Sequence, residues 1–159
     1  MDGTSLLVVG HGEVATALEG IARALGWAVT VVDSHEETVE VLGRCDSVVV
    51  LSHHEGLDGP AIAAALESDA TYVGAMGSRK TQARRRAWLL ENGVSESELD
   101  DVRGPAGLDI GANTSGEIAV SIVAEIIALR RGVSGGSISE RSGPIHPGLP
   151  PGTAECPSG

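Results

Sequence analysis

The stretch LLVVGHGEVATALEGIARALGWAVTVVD, residues 6–33, decides the fold of this chain. Its first four residues predict a buried strand, which ends at a glycine turn of the form G-x-G-x-x-A, residues 10–15. The following segment has the pattern of an amphipathic helix, and the Val-rich run at 29–32 predicts a second strand. Two strands joined by a helix over so few residues indicate a parallel pair with a helical crossover.

The glycine turn predicts a site for a phosphate-bearing nucleotide. Gly10 permits the tight turn, Gly12 lets a pyrophosphate approach bare backbone, and Ala15 lets the helix pack closely on the strand. The start of the helix offers unpaired N–H groups and a partial positive charge to an anion. Asp33 follows the second strand, where a carboxylate can accept hydrogen bonds from ribose hydroxyl groups.

The composition is that of one aliphatic domain. The 159 residues include no Phe, one Tyr and two Trp, which suits a Val-rich parallel sheet covered by Ala- and Leu-rich helices. A net charge of −11 argues against nucleic acid or an anionic membrane as a partner. Two cysteines are too few for a disulfide framework, and neither a leader peptide nor a membrane-spanning run is recognisable. We therefore expect a cytoplasmic protein.

Alternating strands and helices predict an α/β fold, a Rossmann-like doubly wound parallel sheet in a single domain, residues 1–132. Further strands are expected at 47–51 and 70–75, with at most a short strand at 108–110. The helix after the third strand is expected to have Pro60 in its first turn. Residues 133–159 are rich in Gly, Ser and Pro, which is typical of a disordered tail.

Polar residues or glycines follow the first four predicted strands, at Gly10–Glu13, Asp33–His35, Ser52–His54 and Met76–Arg79. A fifth such segment, Gly107–Asp109, lies nearby if it enters the sheet. The carboxyl ends of parallel strands meet at one edge of the sheet, and open α/β sheets bind their ligands there. We therefore expect the segments to converge on a single site.

A second anion site is predicted at Gly77-Ser78-Arg79. Backbone amides and the Ser78 hydroxyl at a helix start can bind a phosphate, and the Arg79 guanidinium can hold it with two hydrogen bonds. The alternative, that Ser78 only caps the helix, stays open. Five of the eleven basic residues cluster at positions 79, 80 and 84–86, and they form either a local positive site or a solvated helix face.

Neither a catalytic residue nor a metal site is predicted. Four of the five histidines fall in or beside these loops, at positions 11, 35, 53 and 54, and together with Asp58 and Asp109 they are the candidates for proton transfer or metal binding. Adjacent histidines in an extended segment point to opposite sides, however, and no typical metal-ligand spacing occurs.

Several of these segments together resemble the XdhC/CoxI family, specifically its C-terminal Rossmann domain, over about residues 5–132. The glycine turn with Asp33 is similar to the family's first loop, and Leu51-Ser52-His53 with Leu57-Asp58 is similar to its third-strand loop. The most specific strings are YVGAMGSRK at 72–80 and GLDIGA at 107–112, with Thr114 and Glu117-Ile118-Ala119. This chain has Gly-His-Gly-Glu where members commonly have Gly-Ala-Gly-His, and an acidic Glu13 weakens a phosphate site at the helix start.

The resemblance implies an accessory protein that binds the molybdenum cofactor, as molybdopterin or its cytosine dinucleotide, to mature a molybdenum hydroxylase such as xanthine or carbon monoxide dehydrogenase. Its partners would be the hydroxylase apoenzyme and a separate subunit supplying the N-terminal domain that members typically carry. The last helix either packs on the sheet or forms a homodimer. The implied cofactor-binding residues are Gly10, His11, Gly12, Glu13, Val14, Asp33, His53, Asp58, Gly77, Ser78, Arg79, Gly107 and Asp109.

An NAD(P)-dependent oxidoreductase, or its nucleotide-binding subunit, is the alternative. Asp33 favours NAD over NADP, because a carboxylate repels a 2′-phosphate. Such enzymes usually add a substrate domain, and none is predicted here. A third possibility is a structural or regulatory partner whose nucleotide site is vestigial.

Overall fold

The computed structural model describes residues 3–146 and shows five parallel strands in one sheet. The strands are β1 (Ser5–Val9), β2 (Ala28–Val32), β3 (Ser47–Val50), β4 (Tyr72–Ala75) and β5 (Val102–Arg103). Their order across the sheet is β2-β1-β3-β4-β5. The predicted α/β, Rossmann-like doubly wound sheet is confirmed.

The middle of the sheet is formed by the strands whose side chains are apolar on both faces. Leu6 to Val9 of β1 and Val48 to Val50 of β3 are all 0% exposed. A continuous aliphatic run suits a strand that is covered on both faces, whereas a strand with one solvated face would alternate. Burying each such Leu or Val contributes about 1.5–3 kcal/mol to folding.

Helices cover both faces of the sheet. They are α1 (Glu13–Ala24), α2 (His35–Leu42), α3 (Glu55–Glu67), α4 (Arg79–Glu91), α5 (Glu96–Leu99) and α6 (Ser115–Arg131). The first and last pack on one face, and the other four pack on the opposite face. Glu13 contacts Ser115 at the start of α1 and α6, and Leu25 shares a pocket with Arg130 at their far ends, so these two helices run in the same direction. Both therefore begin at the carboxyl edge of the sheet.

The start of α3 differs from the sequence prediction. The helix begins at Glu55 rather than beside Pro60, which lies inside it. The carbonyl of His54 accepts hydrogen bonds from the amides of Leu57 and Asp58, at 2.9 and 3.0 Å. These bonds complete a first turn upstream of the proline, in a segment whose two glycines are more typical of a loop.

The fifth strand is Val102–Arg103, and the short strand considered at 108–110 does not form. Val102 pairs with Val73, and Arg103 pairs with Gly74. The Leu108 amide instead donates to the carbonyl of Ser121 on α6, at 3.1 Å. The loop at 108–110 is thus held by a helix and not by the sheet, and a strand of two residues is too short to leave a sequence pattern.

The beginning of the predicted tail is exposed. Residues 133–146 contain one 3₁₀ turn, Ile138–Glu140, and none of these residues is buried. Residues 147–159, the rest of the predicted tail, lie outside the described residues. No helix between residues 3 and 146 combines the length and the apolar character needed to cross a membrane.

Candidate functional site

The carboxyl edge of the sheet carries a cleft where β1 and β3 meet. The chain reverses its direction across the sheet at this point, because α1 leaves β1 over one face and α3 leaves β3 over the other. Diverging helices leave a crevice there, which is the usual ligand position in doubly wound sheets. The cleft has a volume of about 360 Å³. Its lining residues come from four separate segments: His11–Ala15, Leu51 with His53, Met76 with Gly77, and Ser115.

The predicted cofactor-binding residues divide into a group that lines the cleft and a group that does not. Six of them line the cleft: His11, Gly12, Glu13, Val14, His53 and Gly77. Asp33 lies beside this group, because its carboxylate is 3.4 Å from Nε2 of His11. Ala15, Leu51, Met76 and Ser115 also line the cleft and are not among the predicted cofactor-binding residues, although Met76 begins a segment that was expected at the site. Three of these residues are apolar, and Ser115 follows a capping residue, so none of them carried the signal of a ligand-binding side chain.

The first glycine turn brings bare backbone to the cleft. Gly10 has φ +112°, and a Cβ there would lie 2.7 Å from the amide nitrogen of Ser52, so only glycine lets the turn pass so close to the third-strand loop. Gly12 has φ +133°, and a Cβ there would meet nothing within 4 Å. Gly12 is also the N-cap of α1, without a side-chain capping hydrogen bond. The start of α1 therefore has no side-chain hydrogen bond at its cap, and the space beside Gly12 is open.

Acidic side chains surround this open helix start. Glu13 occupies the first turn of α1, and its carboxylate accepts a hydrogen bond from the Ser115 hydroxyl at 3.3 Å. Asp33 and His11 are both about two-thirds exposed, at 63% and 64%. A carboxylate near a helix N-terminus offsets the positive end of the helix dipole. The backbone of the first turn is therefore suited to an anion. Its acidic side chains are instead suited to hydrogen-bond donors of a ligand.

The second glycine turn precedes α4 and has the opposite charge. Gly77 has φ +136°, and the Ser78 hydroxyl accepts a hydrogen bond from the Thr81 amide at 3.2 Å. Ser78 thus caps the helix, and whether it also binds an anion stays a prediction. Arg79 and Lys80 follow in the first turn, and both are exposed. Cations at a helix N-terminus oppose the helix dipole, so helix stability does not explain these two residues.

The cluster of basic residues on α4 is neither a single patch nor a uniformly solvated face. Arg86 forms an ion pair with Glu96, and Arg84 pairs with Asp58 on α3 at 2.7 Å. Arg85 is buried, with a side chain that is 2% exposed. Among the described residues, the remaining two cations, Arg79 and Lys80, form no ion pair.

Asp58 lies inside the protein rather than in the cleft. Its side chain is 1% exposed. One carboxylate oxygen accepts from the Gly59 amide, and the other accepts from Arg84 and Arg85, each at 2.7 Å. Burial alone would raise the pKa of Asp58, but the hydrogen bonds from Arg85 and Arg84 outweigh it and hold the pKa below its usual value. The carboxylate is thus ionised, and both of its oxygens are hydrogen-bonded to protein groups.

Gly107 and Asp109 also lie away from the cleft lining. The Gly107 amide donates to the Glu125 carboxylate at 3.2 Å, and the hydroxyl of Tyr72 donates to the same oxygen at 2.7 Å. Burial and the Glu125 carboxylate raise the pKa of Tyr72, so the phenol stays protonated as a donor. A Cβ on Gly107 would lie 2.4 Å from Oγ of Ser121. This glycine therefore lets its loop pack on α6, while Asp109 is exposed in the same loop.

Within residues 3–146, no group of three or more His, Cys, Asp or Glu side chains is arranged to hold a metal ion.

Residues 6–126 match the family described as the XdhC Rossmann domain. The chain belongs to this family. A crystal structure of a xanthine dehydrogenase from Bacillus halodurans has the same fold, with a TM-score of 0.67 and 26% sequence identity, over 82% of this chain and 43% of that one.

Curated relatives of this XdhC-family chain include two proteins of Escherichia coli (strain K12). The uncharacterized protein YqeB is 28% identical over 89% of this chain and 30% of its own length. The molybdenum cofactor insertion chaperone PaoD is 29% identical over 79% of this chain and 40% of its own length. A protein of Bacillus subtilis (strain 168), described as a probable subunit of xanthine dehydrogenase, is 38% identical over 56% of this chain and 25% of its own length. The chain thus spans well under half the length of the curated relatives it matches.

Proposed function

We propose that this chain binds the molybdenum cofactor, or a related nucleotide, in the cleft at the β1–β3 junction and serves the maturation of a molybdenum hydroxylase. The observation that carries the proposal is the cleft itself, where an uncapped helix start, a second glycine turn and a third-strand loop line one crevice. Similarity to the chaperone PaoD supports the molybdenum cofactor as its ligand.

The charges around the cleft suggest how such a ligand is oriented. Helix α4 has no acid in its first turn and begins with Arg79 and Lys80, whereas α1 begins with Glu13. We infer that the phosphate or pyrophosphate lies toward the start of α4, where two cations can form charge-assisted hydrogen bonds with it. The Glu13 and Asp33 carboxylates would then accept hydrogen bonds from N–H or O–H groups at the other end of the ligand.

Binding of purified molybdenum cofactor to the full chain, followed by quenching of tryptophan fluorescence, tests the proposal. The wild-type protein should bind, and Arg79→Ala should weaken the affinity about tenfold, the usual effect of losing one charge-assisted hydrogen bond. Arg86→Ala is the matched control. It removes a cation from the same helix, but this cation already forms an ion pair with Glu96. An Arg79→Ala protein that binds as tightly as the wild type would place the anion elsewhere.

NAD binding remains a second candidate, and the position of Asp33 favours it. Its carboxylate is exposed directly after β2, where a ribose diol is bound in dinucleotide sites. Titration with NADH under the same conditions separates the two functions. Micromolar affinity for NADH without affinity for the molybdenum cofactor would replace the chaperone function with that of an oxidoreductase component.

The proposed partner is a hydroxylase apoenzyme. The outer side of α6 is a candidate surface for a partner or for a second copy of the chain, since Val120 and Ile127 are 48% and 40% exposed while Ile122 and Ile126 are buried. Co-purification with a hydroxylase polypeptide, and its loss in a Val120→Asp variant, would identify this surface. Retention of the partner by that variant would exclude it.

A further inference from the structure

We propose that Arg85 is a positioning residue, which holds two neighbouring loops that line the cleft at the separation that ligand binding requires. The loops are residues 51–54, after β3, and residues 76–78, after β4. The inference rests on the proposed function, because it assigns Arg85 a role in ligand affinity.

The Arg85 guanidinium reaches both loops at once. Its Nη2 donates to the carbonyl oxygen of Ser52 at 3.0 Å, and its Nη1 donates to the carbonyl oxygen of Met76. Both carbonyls belong to residues just beyond the last sheet pairs of β3 and β4, at Val50 and Ala75. One planar group therefore joins the two strand ends beyond the last paired residues of the sheet.

The guanidinium is itself fixed from the opposite side. Its Nε donates to the Asp58 carboxylate at 2.7 Å, and Asp58 is anchored on the first turn of α3. Helices α3 and α4 are in close contact here, since a Cβ on Gly59 would lie 2.6 Å from the ring of Trp88. With all three of its nitrogens bonded and 2% exposure, Arg85 has one defined conformation.

The position of the bonded carbonyls links this arrangement to the cleft. Ser52 precedes His53, and Met76 precedes Gly77, and all but Ser52 line the cleft. A Cβ on Gly77 would lie 3.3 Å from Nη1 of Arg85, so the guanidinium is also packed against the second glycine turn. A change at Arg85 should therefore move the two loops relative to each other without changing any residue that faces the ligand.

A lysine at this position can keep the charge beside Asp58, but its single ammonium group cannot reproduce the planar fork to two carbonyls. Arg84 provides the matched control. It pairs with the same Asp58 oxygen, but its other ion-pair partner is Glu55, and it bonds neither loop. Arg85→Lys and Arg84→Lys therefore each change an ion pair to the same Asp58 oxygen, but only Arg85→Lys removes the hydrogen bonds to the two loops.

The test compares these two variants in the full chain, with purified molybdenum cofactor as the probe. Arg85→Lys should weaken the affinity about tenfold or more, as expected when the support of a site is loosened, and Arg84→Lys should change it less than about twofold. Equal affinities in the two variants would overturn the positioning role.

Amide hydrogen exchange separates a failure of this inference from a failure of the proposed function. If the wild-type chain binds no molybdenum cofactor, the proposed function fails, but the amides of His53, His54, Gly77 and Ser78 should still exchange faster in Arg85→Lys than in Arg84→Lys. Equal exchange rates would overturn the inference.

If Arg85→Lys does not fold, NMR of the Arg85 side chain in the wild-type protein decides. Separate, slowly exchanging Nη signals support the inference, and a single averaged signal overturns it.

Discussion

The two glycine turns of this protein have similar backbones and opposite surroundings. Gly12, at the start of α1, and Gly77, before the start of α4, have φ values of +133° and +136°. The α1 start has no side-chain cap and carries Glu13, whereas the α4 start is capped by Ser78 and carries Arg79 and Lys80. The first turn thus offers free amides next to a negative charge, and the second offers positive charge next to a capped helix.

This difference shows that a glycine-turn motif does not by itself identify the position of an anion. Both backbone amides and cationic side chains can form charge-assisted hydrogen bonds with a phosphate, but a carboxylate beside the amides repels it. For this reason our proposal places the anion at the second turn, although the first turn has the better-known motif.

The largest expected effect concerns the support of the second turn. Asp58→Asn leaves Arg85 buried without its ionised partner, and breaking such a pair costs about 3–5 kcal/mol of unfolding free energy. Because the pKa of Asp58 is held below its usual value of 3.8, the pair stabilises the fold above that pH and loses this effect as the pH falls below it. Urea unfolding at pH 7 and at pH 3 measures this effect. The difference in unfolding free energy between the wild type and Asp58→Asn should be smaller at pH 3. A gap that is constant with pH would mean that the Asp58 charge is not responsible.

Alanine substitutions at the glycines should destabilise the protein in proportion to how little space each turn leaves for a Cβ atom. Gly10→Ala should destabilise by about 3–4 kcal/mol, since a strained φ is combined with a Cβ that lies 2.7 Å from backbone. Gly77→Ala should lose less unfolding free energy, because the nearest neighbour of its Cβ is the side chain of Thr81. Gly12→Ala should lose about 1–2 kcal/mol, because only its φ is unfavourable. Urea denaturation of the three variants checks the order. A Gly12→Ala loss as large as that of Gly10→Ala would mean that the first turn is closed by contacts within the protein.

Removing the cations of the second turn should separate binding from stability. Arg79→Ala with Lys80→Ala should weaken binding of the molybdenum cofactor by about 3 kcal/mol, twice the tenfold loss expected for one charge-assisted hydrogen bond. The same variant should be as stable as the wild type or slightly more stable, because two cations leave a helix N-terminus. Affinity and thermal unfolding of one preparation give both values. A large loss of stability would instead indicate a structural role for these residues.

The smallest expected effect is at the first turn. Glu13→Gln should tighten the binding of sulfate, an anion with no N–H or O–H group to donate to Glu13, by about 0.3–1 kcal/mol, because it removes a negative charge from the α1 start, and salt should reduce the gain. Glu36→Gln, at the start of α2, is the control for a general change in net charge. A gain much larger than this range would mean that the phosphate lies at the first turn and not at the second.

The fold was predictable to the extent that it depends on pattern. The aliphatic runs of β1 and β3 and the glycine turns between strands and helices placed most of the cleft at one edge of the sheet. The two-residue β5 carried no periodicity, and the two glycines that precede Pro60 made the first turn of α3 resemble a loop.

The site was less predictable, because burial of a charge depends on partners that are distant in the sequence. Arg85 looks like its neighbours Arg84 and Arg86 in the sequence, yet its partners Ser52, Asp58 and Met76 lie 33, 27 and 9 residues away. Asp58 follows the third strand as a ligand-binding acid would, and only the packing of α4 on α3 shows that it is enclosed.

The scarcity of aromatic residues has a practical consequence for studying this protein. Its two tryptophans lie on opposite sides of the sheet, Trp27 with the layer of α1 and α6 and Trp88 with the layer of α3 and α4. With no Phe and a single Tyr, the near-ultraviolet signal comes from three side chains. Two single-tryptophan variants would therefore report the melting of each helical layer separately, and they would show whether the two layers unfold together or one after the other.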